Sequence, residues 1–368
     1  MKKLAIIGAN DFQNQLIMKA KTRGIETHVF AWEDGAVGKE NADYFYPISI
    51  IEKDEILEKC QEVRIDGIVS IASDLASVTV NYVAEKMGLV GNGIESAMIS
   101  TNKYLMRKTF EENGDPSPKN YRSDEINDDI ISSMRFPLIV KPTDRSGSRG
   151  ITKIVEKSEI AAAVKNAESL SFDKKAMVEE FIEGKEYSVE YISYKGRHTF
   201  LALTEKFTTG APHFIETGHV QPALVSDDVL TTVKKIVEHA LDSLKIKNGA
   251  SHSEVMINTD GSVKIVEIGG RMGGDCIGSD LVQISTGFDF VNMVIDISLG
   301  NEPDFNKICE PKRAEVRFIF SKEDIVKLEE EKNKNPERIY RISEIEEISD
   351  SHKVEDSSTR YGYYILAG

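Results

Sequence analysis

The sequence predicts an α/β protein built in series. A Rossmann-like parallel-sheet domain covers residues 1–99, a larger mixed α+β region covers 100–305, and a small α+β tail covers 306–368. Two observations carry this. The first hundred residues repeat a strand–helix–strand rhythm, which implies parallel strands with the functional edge at their C-terminal ends. The middle of the chain strings longer apolar strands around tight turns, of which Asp260-Gly261 is the clearest.

Each element follows in order. "KLAIIGAN" reads as a buried strand ending in a glycine turn, "DFQNQLIMKAKTRG" as a helix closed by Gly24, and "IETHVFAWED" as a second strand. The pattern repeats through "ILEKCQEVRIDGIVSIASD" and "VTVNYVAEKMGLVGNG". Only Gly8 of a G-x-G-x-x-G fingerprint is present, so this domain reads as structural rather than dinucleotide-binding. "STNKYLMRKTFEENG" predicts one helix ending at Gly114. "FPLIVKPTDRSGSRGITKIV" predicts a strand, a polar glycine-containing loop and a strand. After the helix "SEIAAAVKNAESL", "KAMVEEFIEGKEYSVEYISY" predicts a strand, a short connection and a long strand. "HTFLALTEKFTT" reads as a strand, "APHFIETGHVQPA" as a loop, and "SDDVLTTVKKIVEHALDSLKI" as an amphipathic helix. The hairpin around Asp260-Gly261 and the helix "FDFVNMVIDISLG" follow. The tail holds the strand "AEVRFIF", the solvated helix "KEDIVKLEEEKNKN" and a last strand "YGYYILAG".

Composition narrows the function. A formal net charge of −15 argues against nucleic-acid or anionic-membrane partners, which need clustered Lys and Arg, while leaving room for a small anion held by local cations. The 3 cysteines, Cys60, Cys276 and Cys309, are widely spaced and suggest a reducing compartment. The apolar run in "MKKLAIIGAND" is too short for a signal peptide, so a cytoplasmic protein is expected.

The hairpin carries the chemistry. With Asp260-Gly261 centred on the turn, Asn258 faces Val263, Met256 faces Ile265 and Glu254 faces Glu267; a three-residue loop would shift that register. Two carboxylates about 4.5–5.5 Å apart at Cβ repel unless something neutralises them. Their oxygens are what Mg²⁺ takes, usually together with phosphate oxygens. Upstream, "IVKP" places Lys141 beside a loop in which Gly147 and Gly150 let backbone N–H groups approach an anion, and Ser146 and Ser148 add hydroxyls. "MVEEFIEGKEYSV" suggests a strand entering a tight bend at Gly184, whose main chain could read an adenine edge while Glu186 accepts from ribose.

Taken in order, Lys103, Lys141 with its loop, the acidic bend, and the carboxylate hairpin followed by Arg271 resemble the ATP-grasp superfamily, in particular its carboxylate–amine ligase branch of biotin carboxylase, purine-pathway and L-amino acid ligases. The resemblance spans about residues 1–300 and implies an ATP-grasp fold of two α+β subdomains over 100–305, with a lid at about 118–185. It implies ATP and Mg²⁺, with Mn²⁺ as an alternative metal. Lys103 and Lys141 would meet the α/β phosphates, and Ser146, Gly147, Ser148 and Gly150 would close over β/γ. Glu179 with the backbone of Glu180 and Ile182 would form the adenine hinge, Glu186 would take the ribose, and Glu254 and Glu267 the metal. Arg271, with Lys141, would act in catalysis, and Glu216, His219 and Arg271 would face the substrates. His213, Glu216 and His219 lack H-E-x-x-H spacing, which argues against zinc. Many members carry Asn two residues after the second glutamate; here Gly269 stands there, which leaves one or two metal ions open.

The implied activity is ADP-forming ligation of a carboxylate to an amine through an acylphosphate, with joining of amino acids as one form of it. Alternatives are a purine-pathway phosphoribosyl-amine ligase, a biotin-carboxylase-like enzyme, or a nucleotide-binding regulatory module without turnover. Partners are then small-molecule carboxylates and amines, with a homodimer left open.

Overall fold

The computed structural model describes residues 1–145, 147, 149–211, 214–349 and 353–368. Among them, the N-terminal residues form a four-stranded parallel sheet of Lys3–Ile7, Glu26–Phe30, Tyr44–Tyr46 and Gly67–Val69, in the order third, second, first, fourth. Its first helix, Asp11–Thr22, starts at a capping box in which Asn10 and Gln13 satisfy each other's backbone N–H groups. A later helix, Asp74–Met87, is capped by Ser73, whose Oγ accepts from Ala76 N at 3.2 Å. That cap puts Asp74 on the first turn, at the C-terminal edge of the sheet.

The helix expected over 100–114 is two helices, Gly93–Thr101 and Lys103–Asn113. The reason is Asn102. Its side chain accepts from Tyr104 N and Leu105 N, both at 3.1 Å, so the residue ends one helix and caps the next. The cap sets Lys103 on the first turn, where its N–H donates to Thr143 O at 2.7 Å.

The expected lid, residues 118–185, holds an antiparallel sheet in the order Asn120–Arg122, Ala176–Glu180, Leu138–Pro142, Thr152–Ile154. The helix Ile160–Leu170 covers it through Ile160, Ala163 and Ala167. A larger antiparallel sheet runs in the order Val263–Gly269, Gly249–Ile257, Lys185–Tyr194, Arg197–Thr208, Glu216–Gln221, Ala314–Ile319, Gly362–Ala367, Ile339–Ile342. The C-terminal α+β part therefore continues the central sheet edge to edge. The segment expected as a loop before the Ser226 helix contains the strand Glu216–Gln221. Its neighbours on both sides, Glu205–Thr208 and Ala314–Arg317, satisfy its backbone, which outweighs its weak local pattern.

The glutamate hairpin corrects one detail of register. Asn258 N bonds Ser262 O at 2.9 Å, so the loop has three residues, with Gly261 at φ +81°. Ile257 therefore pairs with Val263 and Val255 with Ile265, one residue away from the expected pairs Asn258–Val263 and Met256–Ile265. A bulge then leaves Val266 unpaired, and Glu254 does face Glu267. No helix among the described residues is long and apolar enough to cross a membrane.

Gly184 ends the connection between the two sheets at φ +136°, and a Cβ there would lie 2.6 Å from Ile257 O. We expect Gly184→Ala to cost about 1–3 kcal/mol of stability. Urea melts would show this as a lower midpoint with an unchanged slope, and an unaltered midpoint would remove the constraint.

Candidate functional site

The two sheets and the N-terminal domain enclose a cavity of about 490 Å³. Each wall is a strand end or helix start that turns a charged group inward. Lys141, at the end of Leu138–Pro142, donates to Glu179 Oε1. The other oxygen of Glu179 accepts from Arg107 Nε at 3.2 Å and Nη2 at 3.1 Å, and Nη2 also reaches Val266 O at 2.6 Å. Arg107 lies one helical turn after Lys103 and is fully buried. Burial pushes the Glu179 carboxyl up, but the cations of Lys141 and Arg107 outweigh it and hold the group below the usual range. Lys141 is held below the usual lysine range, because burial and the nearby Arg107 outweigh Glu179.

Both metal candidates are paired with lysines. Lys103 Nζ donates to Glu267 Oε1 at 2.8 Å. Lys206, from Arg197–Thr208, lies 2.6 Å from both Glu186 Oε1 and Glu254 Oε1, with Glu216 at 3.8 Å. Burial opposes ionisation of Glu254, yet Lys206 and then His252 keep it well below the ordinary range. His252 Nε2 lies 3.6 Å from Glu254, and Nδ1 bonds the fully buried Glu190, which also accepts from Gly273 N at 3.1 Å. Burial lowers this imidazole, but Glu190 and Glu254 raise it to about 9, so it is a cation at neutral pH.

Arg271 points back to the N-terminal domain. Its Nε and Nη2 donate to the two oxygens of Asp74 at 2.7 and 3.0 Å, a bidentate pair. A Cβ on Gly269 would sit 3.0 Å from Asp74 Oδ1 and 3.2 Å from Arg271 Nε. The departure noted in the sequence thus leaves room for this ion pair.

Of the residues singled out in the sequence, Lys103, Lys141, Gly147, Glu179, Glu180, Ile182, Glu186, Glu216, Glu254, Glu267 and Arg271 line the cavity. Two do not. Gly150 turns at φ +74° beneath the loop, where a Cβ would meet Leu170 Cδ1 at 2.8 Å. His219 pairs with Lys206 and, because the strand bulges between Glu216 and Gly218, lies on the same face as Glu216, yet it is buried and does not line the cavity. It packs edge-on to Phe318 and lies 3.8 Å from Asp275, which Arg360 holds at 2.9 and 2.7 Å. Ser146, Ser148 and His213 lie outside the described residues. The sequence reading missed Asp74, Arg107, Glu190, Lys206 and His252. Arg107 and Lys206 did leave a signal, as charges on an inward helix face and within a strand.

At the hinge, Glu180 N donates to Lys119 O at 2.9 Å and Phe181 N to Pro137 O at 3.0 Å, and Glu180 and Ile182 both line the cavity. Among the described residues no group of three or more His, Cys, Asp or Glu could hold a metal alone. Two carboxylates suit a hard cation that takes its other ligands from phosphate and water.

Residues 134–280 match the ATP-grasp domain family. Alanine–anticapsin ligase of Bacillus subtilis is 26% identical over 305 residues, covering 73% of this chain and 64% of that protein. The chain thus spans less than two thirds of this relative's length. The crystal structure of an L-amino acid ligase from Bacillus licheniformis superposes with a TM-score of 0.80 at 20% identity, covering 100% of this chain and 93% of that one. Phosphoribosylglycinamide synthetase from Anaerococcus prevotii gives 0.78 at 24% identity, covering 100% and 94%. At such identities the two structures establish the fold.

The Lys141–Glu179–Arg107 group gives a stability prediction. Glu179→Gln leaves two buried cations without their counter-charge and should cost about 3–5 kcal/mol at pH 7. Because the wild-type carboxyl is held below its ordinary value, its contribution is present above the ordinary glutamate range and fades as pH falls through the lower folded value. Denaturation of the two proteins should therefore converge in acid; a gap independent of pH would contradict this.

Proposed function

We propose that the chain, whose residues 134–280 match the ATP-grasp domain family and which shares its fold with an L-amino acid ligase and a phosphoribosylglycinamide synthetase, joins a carboxylate to an amine with conversion of ATP to ADP and phosphate. The observation that carries this reading is the single cavity that gathers Lys103, Lys141, the Glu254–Glu267 pair and Arg271. In it Glu180 O and Ile182 N–H read the adenine, Glu186 takes the ribose, Lys103 and Lys141 meet the phosphates, and the Gly147 loop lies over them. Glu254 and Glu267 would hold Mg²⁺, which would supply charge neutralisation on the transferring phosphoryl group.

The chemistry then uses two displacements. A carboxylate oxygen of the first substrate attacks the γ-phosphorus, the bond to the β-phosphate oxygen breaks, and ADP leaves. The amine nitrogen attacks the acyl carbon of the resulting acylphosphate, the C–O bond breaks, phosphate departs, and the nitrogen loses a proton. Arg271, held in place by Asp74, directs its guanidinium at the oxygen that gains charge in the second displacement. Lys103 and Lys206 offset the glutamates in the absence of nucleotide and would turn to phosphate oxygens as metal takes the carboxylates. An amino-acid pair is the substrate class we favour. It is supported by the relative that is an alanine–anticapsin ligase and by the fold shared with an L-amino acid ligase.

The test is phosphate release from Mg-ATP with paired L-amino acids. Release that requires both partners supports the reading, and ATP turnover indifferent to any carboxylate counts against it. Arg271→Lys keeps a cation beside Asp74 but loses the bidentate geometry. It should bind ATP within about threefold of wild type while product formation falls about 100-fold, the scale of losing one oxyanion donor. A matching loss of ATP affinity would move Arg271 to the nucleotide.

A further inference from the structure

A second cavity, about 270 Å³, adjoins the first, and Asp74, Lys103, Arg145, Arg149 and Glu267 line both. Its outer wall is apolar: Leu75, Met98 and Phe172 expose 42%, 50% and 60% of their surfaces around one concave site. Large apolar side chains gathered at a concavity, with a few charged groups converging on it, are the make-up of a small-molecule site. The guanidinium of Arg145 lies 4.4 Å from the centre of the Phe172 ring and has no hydrogen-bond or ion-pair partner among the described residues. Asp74 gives one hydrogen bond site on each oxygen to Arg271, and a carboxylate with about four lone-pair sites can accept more.

A ligase must hold two substrates beside its nucleotide, and the amine must reach the acyl carbon from a side that ATP does not fill. The second cavity opens on Glu267 and on Asp74, the partner of Arg271, and so approaches the reacting carbon from the N-terminal domain. We propose that this cavity is the amine-substrate site and takes an apolar amino acid. Its side chain lies on Leu75, Met98 and Phe172, its ammonium on Asp74, and its carboxylate on Arg145. This rests on the ligase reading above.

Hydroxylamine separates the two claims, because it converts the acylphosphate to a hydroxamate, releasing phosphate, without needing an apolar wall. The acyl donor is the L-amino acid that gives most hydroxamate with wild-type protein and Mg-ATP. Coupling of that donor to L-leucine, L-methionine, L-phenylalanine or glycine is then measured, and the ratio of coupled product to hydroxamate is taken. Met98→Trp and Leu75→Trp, at two partly exposed positions, fill the cavity, and a ratio cancels any loss of folded protein. We expect wild type to favour the three apolar amines over glycine, and the ratio for them to fall at least tenfold in both variants. A ratio unchanged in both, or no preference for apolar amines in wild type, overturns the amine site and leaves the ligase standing. Absence of hydroxamate and phosphate from wild type with every donor overturns the ligase reading, and the amine site with it.

Discussion

Two carboxylates facing each other across an antiparallel pair repel, and an apolar surrounding makes the repulsion worse. Glu254 and Glu267 hold that position only because a cation reaches each from a different part of the fold. Lys206 comes from the next-but-one strand of the central sheet, and Lys103 from a helix whose start is set by Asn102. The bulge at Val266 belongs to the same constraint. A three-residue loop alone would have moved Glu267 out of register, and the extra residue restores it. Val266 in turn offers its carbonyl to Arg107, which ties the hairpin to the Lys141–Glu179 pair. Charge compensation at one pair of residues thus determines a loop length, a bulge, a helix cap and a buried ion network.

The N-terminal domain enters this arrangement through Asp74 rather than through Gly8. The Gly8 turn is closed by its own sheet, with Gly8 N bonded to Phe30 O at 2.8 Å. The segment after Gly67–Val69 instead leans on the loop that follows the hairpin, where Ala72 N donates to Met272 O at 3.2 Å and Asp74 fixes Arg271. A Cβ at Gly269 would crowd that contact. A parallel-sheet domain without a dinucleotide fingerprint therefore still contributes to the site, at the carboxyl end of a strand where open α/β sheets place their functional groups.

Much of this was legible in the sequence. Strand periodicity and the Asp-Gly turn placed the hairpin, and the order of lysines, acidic bend and paired glutamates picked out residues that the fold brings to one cavity. What escaped notice depended on distance along the chain or on packing. Asp74 and Arg271 are separated by 197 positions and nothing local joins them. Lys206 sits in the stretch Thr204-Glu205-Lys206-Phe207-Thr208 of a strand, where an edge lysine and a buried one read alike; three surrounding carboxylates make its burial tolerable. His219 failed in the opposite sense. Its segment looked like a loop, and the partners that make it a strand lie on both sides in space; the ring is buried against Phe318 and does not line the cavity. The hairpin register was one residue off near the turn, because whether a loop around Asp-Gly has two or three residues depends on pairing beyond it.

We propose that Glu254 and Glu267 exchange their lysine partners for a metal that arrives with nucleotide. A crystal structure with Mg²⁺ and a non-hydrolysable ATP analogue tests it most directly. We expect one or two metal ions bonded to oxygens of both glutamates at about 2.0–2.1 Å, phosphate oxygens completing the shell, and the adenine edge on Glu180 O and Ile182 N–H. Nucleotide bound at the Gly8 turn, or a metal that touches neither glutamate while Lys103 and Lys206 keep their present partners, would contradict it.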